Sequence, residues 1–305
     1  MSIAIPHATA FTFFYISVLI TAAPLSPFSS DPLDLVRLTK RRVSIVQLAL
    51  PFDFADPSIV QYNDTVYAFA TTNGIDANVQ IASRSSTSST WSLWSGYDAL
   101  PVVGSWSAAL QSPNGWANHY VWAPNVVQND FGEWIMYYSA SLAFGPAFHC
   151  TGAAVSNTIQ GPYTPYGSDP LICPLSSGGA IDASGFRDVD GSRWIVYKID
   201  GNSMGGGGVC GNTVPPIQST PIMLQRVAGN AVTLIDSPIQ ILDRDDSDGP
   251  LVEAPALVIA PGGWYVLFFS RGCYDSDRYD VSYAVATSIT GMSQDDKIER
   301  LFLRI

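Results

Sequence analysis

Histidine is almost missing from this chain of 305 residues, which contains only His7, His119 and His149. A catalytic metal centre built on several histidines is therefore excluded, and a serine–histidine triad would have to use His119 or His149 without a companion motif. Charge is scarce too, with 13% charged residues, and it leans acidic, with 26 acidic against 15 basic residues and a net charge of −11. That balance argues against nucleic acid and anionic membranes as partners. Cysteine is limited to Cys150, Cys173, Cys210 and Cys273, with no C-x-x-C pair, so a zinc knuckle or dithiol redox motif is ruled out. No apolar run reaches the roughly 20 residues that a membrane-spanning helix needs, and helical periodicity is absent.

What is there is 47% hydrophobic and 12% aromatic, punctuated by 25 Gly and 21 Pro, enough for a sizeable core. The first 23 residues carry no Lys, Arg, Asp or Glu and end in small residues, which reads as a secretory signal peptide and an extracellular destination. Residues 24–48 read as a linker or propeptide, with Lys40-Arg41-Arg42 as either a solvated patch or a processing site. In a secreted chain the four cysteines are expected to form two disulfides, and of three possible pairings local ones are favoured, Cys150 with Cys173 and Cys210 with Cys273. Asn63-Asp-Thr65 is a glycosylation sequon.

From residue 49 to 291 one pattern recurs: an apolar strand, a Gly/Asn/Asp turn and an aromatic-rich strand. The four copies are "DPSIVQYNDTVYAFATT" from Asp56, "APNVVQNDFGEWIMYYSAS" from Ala123, "DASGFRDVDGSRWIVYKID" from Asp182 and "APALVIAPGGWYVLFFSRG" from Ala254. The aromatic after each turn falls at Tyr67, Trp134, Trp194 and Trp264, in steps of 67, 60 and 70 residues. A third strand also recurs, as in "GAAVSNTIQGPYTPY" and "SYAVATSITG". Repeated four-stranded units predict an all-β fold, a β-propeller of about four blades. The glycine run "MGGGGVCGN" at 204–212 lacks the strand-to-helix setting of a dinucleotide fingerprint and is expected to be a flexible rim loop.

In a propeller the first strand of every blade starts at one common face, so residues far apart in sequence converge there. Asp56, Asp182 and Glu253 sit at or just before three such starts, and Trp122 takes the matching place in the other. Two carboxyl groups across a sugar, one ionised and one protonated, are what glycosidic hydrolysis requires. A third carboxylate, and the apolar neighbours Leu251, Val252 and Ala254, are expected to keep Glu253 protonated. Trp116, Tyr120, Trp122 and Phe144 are candidates for sugar stacking, Trp122 first among them.

With the stretches "ADPSIV", "VWAPNVV", "IDASGFRDVDG" and "VEAPAL" in this order, the sequence resembles glycoside hydrolase family 43, five-bladed propeller enzymes that release arabinose or xylose from plant cell-wall polysaccharides. The resemblance implies an inverting mechanism with Asp56 as general base, Asp182 as pKa modulator and Glu253 as general acid. It implies arabinan or arabinoxylan as substrate, with α-L-arabinofuranosidase or endo-arabinanase activity ahead of β-xylosidase, no cofactor for the reaction, and a monomer. Family members often hold a calcium or other ion on the propeller axis, and its ligands are expected to be lost here. The repeat spacing would start a fifth blade at about residue 315 to 325, past Ile305, and six of the eleven residues from Asp295 are charged. The fifth blade is therefore expected to be missing or truncated, with residues 292–305 an atypical tail. The competing expectation is a catalytically inactive, carbohydrate-binding propeller.

Overall fold

The computed structural model describes residue 50 and residues 53–111, 115–143 and 148–292. The signal peptide, the linker with Lys40-Arg41-Arg42, Phe144 and residues 293–305 of the tail lie outside the described residues.

Apart from short 3-10 turns, the described elements are strands, gathered into four antiparallel blades whose strands follow chain order. Blade I holds β1 (Ser58–Tyr62), β2 (Thr65–Ala70), β3 (Gln80–Ser85) and β4 (Ser92–Leu93). A two-stranded ribbon, β5 (Leu110–Gln111) and β6 (Ala117–Asn118), precedes blade II, which holds β7 (Trp122–Gln128), β8 (Trp134–Ser141), β9 (His149–Ser156) and β10 (Thr164–Pro165). Blade III holds β11 (Ala180–Arg187), β12 (Arg193–Ile199), β13 (Ile222–Val227) and β14 (Leu234–Leu242). Blade IV shows three strands among the described residues, β15 (Val252–Ala260), β16 (Trp264–Arg271) and β17 (Asp280–Ala286).

The first strands β1, β7, β11 and β15 lie side by side in that order. Their neighbours are joined by short polar side chains: Val126 N–H donates to Ser58 Oγ at 3.2 Å, and Gly185 N–H to Asn125 Oδ1 at 3.0 Å. The core fills the gaps between blades. On β8, Trp134, Met136 and Tyr138 pack toward blade I, while Ile135 and Tyr137 pack toward blade III, so all eight positions of the strand are buried. This is the two-residue alternation of a strand covered on both faces. The same alternation on β12 sends Ile195 and Tyr197 toward blade II and Val196 toward blade IV. On the first and last inner strands, Ile59 and Val258 remain 54% and 42% exposed.

Because first strands start and second strands end at the same face, the long loops gather there. Both disulfides do as well: Cys150 opens β9 and joins Cys173 ahead of β11, and Cys210 joins Cys273 just after β16. The glycine run, expected as a flexible rim loop, lies at this face with a defined fold. Two short 3-10 turns, Gly201–Met204 and Val209–Gly211, fold it back on itself, with Gly207 N–H on Gly211 O at 3.0 Å and Asn212 Nδ2 on Pro250 O at 2.7 Å. Glycine is required for closeness: a Cβ on Gly206 would lie 2.3 Å from Val214 O. The sequon residue Asn63 lies exposed in the β1–β2 turn, at the opposite face.

Candidate active site

Each first strand begins with the same backbone device. Asp56, Ala123, Asp182 and Ala254 all adopt left-handed conformations, with φ of 51°, 43°, 58° and 52°. Such a φ is uncommon outside glycine and costs on the order of 1–3 kcal/mol, so the surrounding structure must hold it in place. In three of the blades the ladder also slips beside it, between Trp122 and Asn125, Ile181 and Ser184, and Glu253 and Ala256. Bulges of this kind turn a side chain off the sheet. Asp56 and Asp182 therefore occupy one equivalent position, and Trp122 and Glu253 share the position before it.

Hydroxyls and carboxylates of the preceding blade hold these starts. Ala123 N–H donates to Thr71 Oγ1 at 3.0 Å, Asp182 N–H to Ser139 Oγ at 3.1 Å, and Ala254 N–H to Asp182 Oδ2 at 2.9 Å. Thr71 Oγ1 in turn donates to Asp56 Oδ2 at 2.6 Å. Asp56 keeps contact with solvent while protein surrounds it on its other sides, the situation of a group on the floor of an open pit.

The three carboxylates are brought together closely enough to feel one another's charge. Asp56 is raised above its ordinary range, first by burial and further by Glu253, against the opposing hydrogen bond from Thr71. Asp182 is pushed up to about 7, first by burial, then by the charge of Glu253, with Lys198 pulling the other way. Like charges in a poorly solvated site have this effect, because only part of the set can ionise.

Glu253 does not sit in the apolar setting that its sequence neighbours suggest. Leu251 and Val252 turn into the core, at 1% and 0% exposed, and Glu253 Oε2 instead accepts a hydrogen bond from Lys198 Nζ at 3.2 Å. Lys198, at the end of β12 and only 1% exposed, also pairs with Asp200 Oδ1 at 3.2 Å. Burial alone would push this amine down, but Glu253, Asp200 and Asp182 outweigh it and hold its pKa above the usual value.

Sequence reasoning passed over two of these groups. Lys198 stands as a lone cation in the apolar run "WIVYKI", and that contrast was its available signal. Tyr279, half-buried after the Cys273 loop, is raised well above its ordinary value by burial and by Glu253, with smaller contributions from Asp56 and Asp182. Nothing in its local sequence marks it.

Trp122 lies partly open at the mouth of blade II, one ring face stacked on His149 with centroids 3.7 Å apart. A cavity of about 290 Å³ beside it is lined by Ala108, Leu110, Tyr120, Trp122, Ser141 and His149. His149 Nε2 pairs with Ser141 Oγ at 3.0 Å, and burial pushes the imidazole down to about 4, so it is neutral near pH 7. His119 Nδ1 pairs with Ser107 Oγ at 3.0 Å, and Trp116 is half-buried near the ribbon. One string, Gly201-Asn-Ser-Met-Gly205, has the G-x-S-x-G spelling of a nucleophile elbow and was overlooked in the sequence. It sits on a four-residue 3-10 turn, and Ser203 Oγ donates to Gly178 O at 2.9 Å, which is not that motif's geometry. Among the described residues, one group of three potential metal ligands falls within reach of a single ion: Cys210, Cys273 and Asp275. Its two sulfurs are spent in a disulfide, so these residues do not fit an axial calcium.

The chain is 31% identical over 238 residues to a probable arabinan endo-1,5-α-L-arabinosidase C of Aspergillus flavus, covering 75% of this chain and 61% of that protein. It is also 31% identical over 162 residues to an extracellular endo-α-(1→5)-L-arabinanase of Thermotoga petrophila, covering 47% of this chain and 33% of that protein. The chain thus spans between a third and about three fifths of these relatives' lengths. Among solved structures, a thermostable family-43 glycoside hydrolase superposes with a TM-score of 0.60 at 24% identity, over 79% of this chain and 71% of that one. An endo-arabinase from Bacteroides thetaiotaomicron gives 0.60 at 18% identity, over 81% of each. These two likenesses establish the shared fold. Among the described residues no helix is long and apolar enough to cross a membrane. The sequence profile of Glycosyl hydrolases family 43 matches residues 49–302, and the chain belongs to that family.

Proposed function

We propose that this chain is an arabinan-degrading glycoside hydrolase that cleaves with inversion. The observation that carries the reading is the convergence of Asp56, Asp182 and Glu253 from three blade starts into one pit, with their charges coupled. The relatives named above are arabinanases, which favours α-1,5-linked arabinan over xylan.

In this scheme Asp56 takes a proton from a water molecule whose oxygen attacks the anomeric carbon, and Glu253 gives its proton to the departing glycosidic oxygen. One C–O bond forms as the other breaks, and both carboxyl groups are reset by exchange with solvent. Asp56 suits the base because it is open to water and its Oδ2 is fixed by Thr71. Asp182 orients the acid's backbone through Ala254 N–H and presses a negative charge on the site. An inverting pair needs room for the water, with carboxyl groups about 6.5–9.5 Å apart. Trp122 offers a stacking face to a pentose at the cavity rim. The reading includes export through the N-terminal segment and glycosylation at Asn63.

The test is hydrolysis of linear arabinan and aryl pentosides by the wild type, Asp56→Ala and Glu253→Gln, with the product anomer followed by proton NMR. Inverted arabinose or arabino-oligosaccharides from the wild type alone support the proposal. Retained products overturn the mechanism. Tight oligosaccharide binding without turnover points instead to a carbohydrate-binding propeller.

A further inference from the structure

One charged group facing the pit has no part in the two-carboxylate scheme. Lys198 is buried, its ammonium 3.2 Å from Glu253 Oε2 and 3.2 Å from Asp200 Oδ1. Its backbone is paired with Ile222 on one side and Ile181 on the other, and its side chain is enclosed by protein. We propose that Lys198 is a positioning residue for the general acid: it holds Glu253 by one carboxyl oxygen, leaves the other to carry the proton, and sets the pH at which that proton is lost.

The inference rests on Glu253 being the acid. A carboxylic acid that is to donate toward one point in space has to be held in one rotamer, and a misplacement of an ångström is costly. Glu253 pairs with Ser270 at the last rung before a bulge and a left-handed residue, so the ladder holds its backbone but does not choose its rotamer, and the described hydrogen bond to its side chain comes from Lys198. The same contact has an electrostatic consequence, because a cation beside a carboxylate favours its ionised form. Asp200 divides that cation between two carboxylates and so weakens the effect on Glu253. The other charged or titratable groups facing the cluster are Asp56, Asp182 and Tyr279 from the pit, and His149 behind Asp200.

Lys198 and, through it, Asp200 therefore act on Glu253 with opposite sign. Lys198→Met keeps the length of the stem and removes the charge, so the alkaline limb of the kcat/KM profile moves to higher pH. Asp200→Asn leaves the lysine wholly to Glu253, so the same limb moves to lower pH.

Leaving-group dependence separates positioning of the acid from general damage to the fold. General acid catalysis contributes about 10²–10⁴-fold, and a leaving group as acidic as 2,4-dinitrophenol does not need it. Lys198→Met is expected to lose about 10²-fold more activity on arabinotriose than on a 2,4-dinitrophenyl arabinofuranoside. Lys198→Arg, which keeps the charge, is expected to recover part of that loss. Both substrates and the pH profiles are measured on the full chain for Lys198→Met, Lys198→Arg, Asp200→Asn and Glu253→Gln, with thermal unfolding recorded for each. A leaving-group split in Lys198→Met with limbs shifting in opposite directions supports the proposal. Equal loss on both substrates, or limbs shifting in the same direction, overturns it. Should Lys198→Met not fold, the limb shift in Asp200→Asn alone decides the matter. If Glu253→Gln itself shows no split, the acid assignment fails. If Glu253→Gln shows the split and Lys198→Met does not, only the role of Lys198 fails.

Discussion

The two ends of the inner hairpins are built by different rules. At the turn end the ladders run in unbroken register, with Gln128 opposite Trp134, Arg187 opposite Arg193 and Ala260 opposite Trp264. At the pit end three of the four slip, all four enter a left-handed residue, and charged groups sit partly or fully enclosed. The turn end is specified by local chemistry, since Gly132 and Gly191 supply the positive φ a tight turn requires, at 86° each. The pit end is specified by the next blade, whose backbone N–H groups find their acceptors on Thr71, Ser139 and Asp182. At the pit end strain and carboxylates are held by several blades together, whereas the buried charge of the turn end, Arg193, is met by Asp130 at 2.7 Å.

Variants of the carboxylates and variants of the supporting scaffold should separate activity from stability. The largest effect on activity is expected from Glu253→Gln at the pit end, with about 10²–10⁴-fold loss of arabinan hydrolysis, while Asp200 still pairs with the buried Lys198 and keeps the loss in urea unfolding below that of Asp280→Ala. Asp280→Ala should do the reverse in kind. It removes the partner of Arg271, whose Nη2 lies 2.7 Å from Asp280 Oδ2 in a buried ion pair. Stranding that guanidinium should cost about 3–5 kcal/mol in denaturant unfolding.

Asp182 carries a pH signature. Its pKa of about 7 lies above the ordinary 3.8, so between those values the folded chain keeps a proton that the unfolded chain has lost. Its contribution to stability therefore falls as pH rises through that window. Asp182→Asn should gain on the wild type by roughly a few degrees in Tm between about pH 4 and pH 7, while losing activity. Calorimetry across that range checks the slope, and a difference that does not change with pH would remove the burial argument. The smallest effect belongs to the turn end. A Cβ on Gly191 meets nothing but must adopt φ of 86°, so Gly191→Ala should cost about 1 kcal/mol and leave arabinan hydrolysis as it was.

The same contrast explains what could be read in advance. The apolar alternation, the turn glycines and the aromatics Tyr67, Trp134, Trp194 and Trp264 mark the hairpins because strand pairing is local, and the blades follow from them. Asp56, Asp182 and Glu253 stood out because an acidic residue at the head of an apolar strand is conspicuous. Their environments were not legible. Val252 is a neighbour of Glu253 only along the chain, since successive side chains of a strand face opposite ways, and Leu251 is buried ahead of β15. The glycine run looked flexible because composition does not reveal that Cys210 ties it to blade IV.

The sequence by itself determined the repeat, the strand faces and the acidic residues at three strand starts, because period-two patterning and turn chemistry act over a few residues. Tertiary structure alone decided that Lys198 bridges Glu253 and Asp200, that Trp122 stacks on His149, and that Asp182 has its pKa raised to about 7. The reason is physical: pKa values and side-chain orientation depend on burial and on charges within a few ångströms. In a propeller those charges come from other blades.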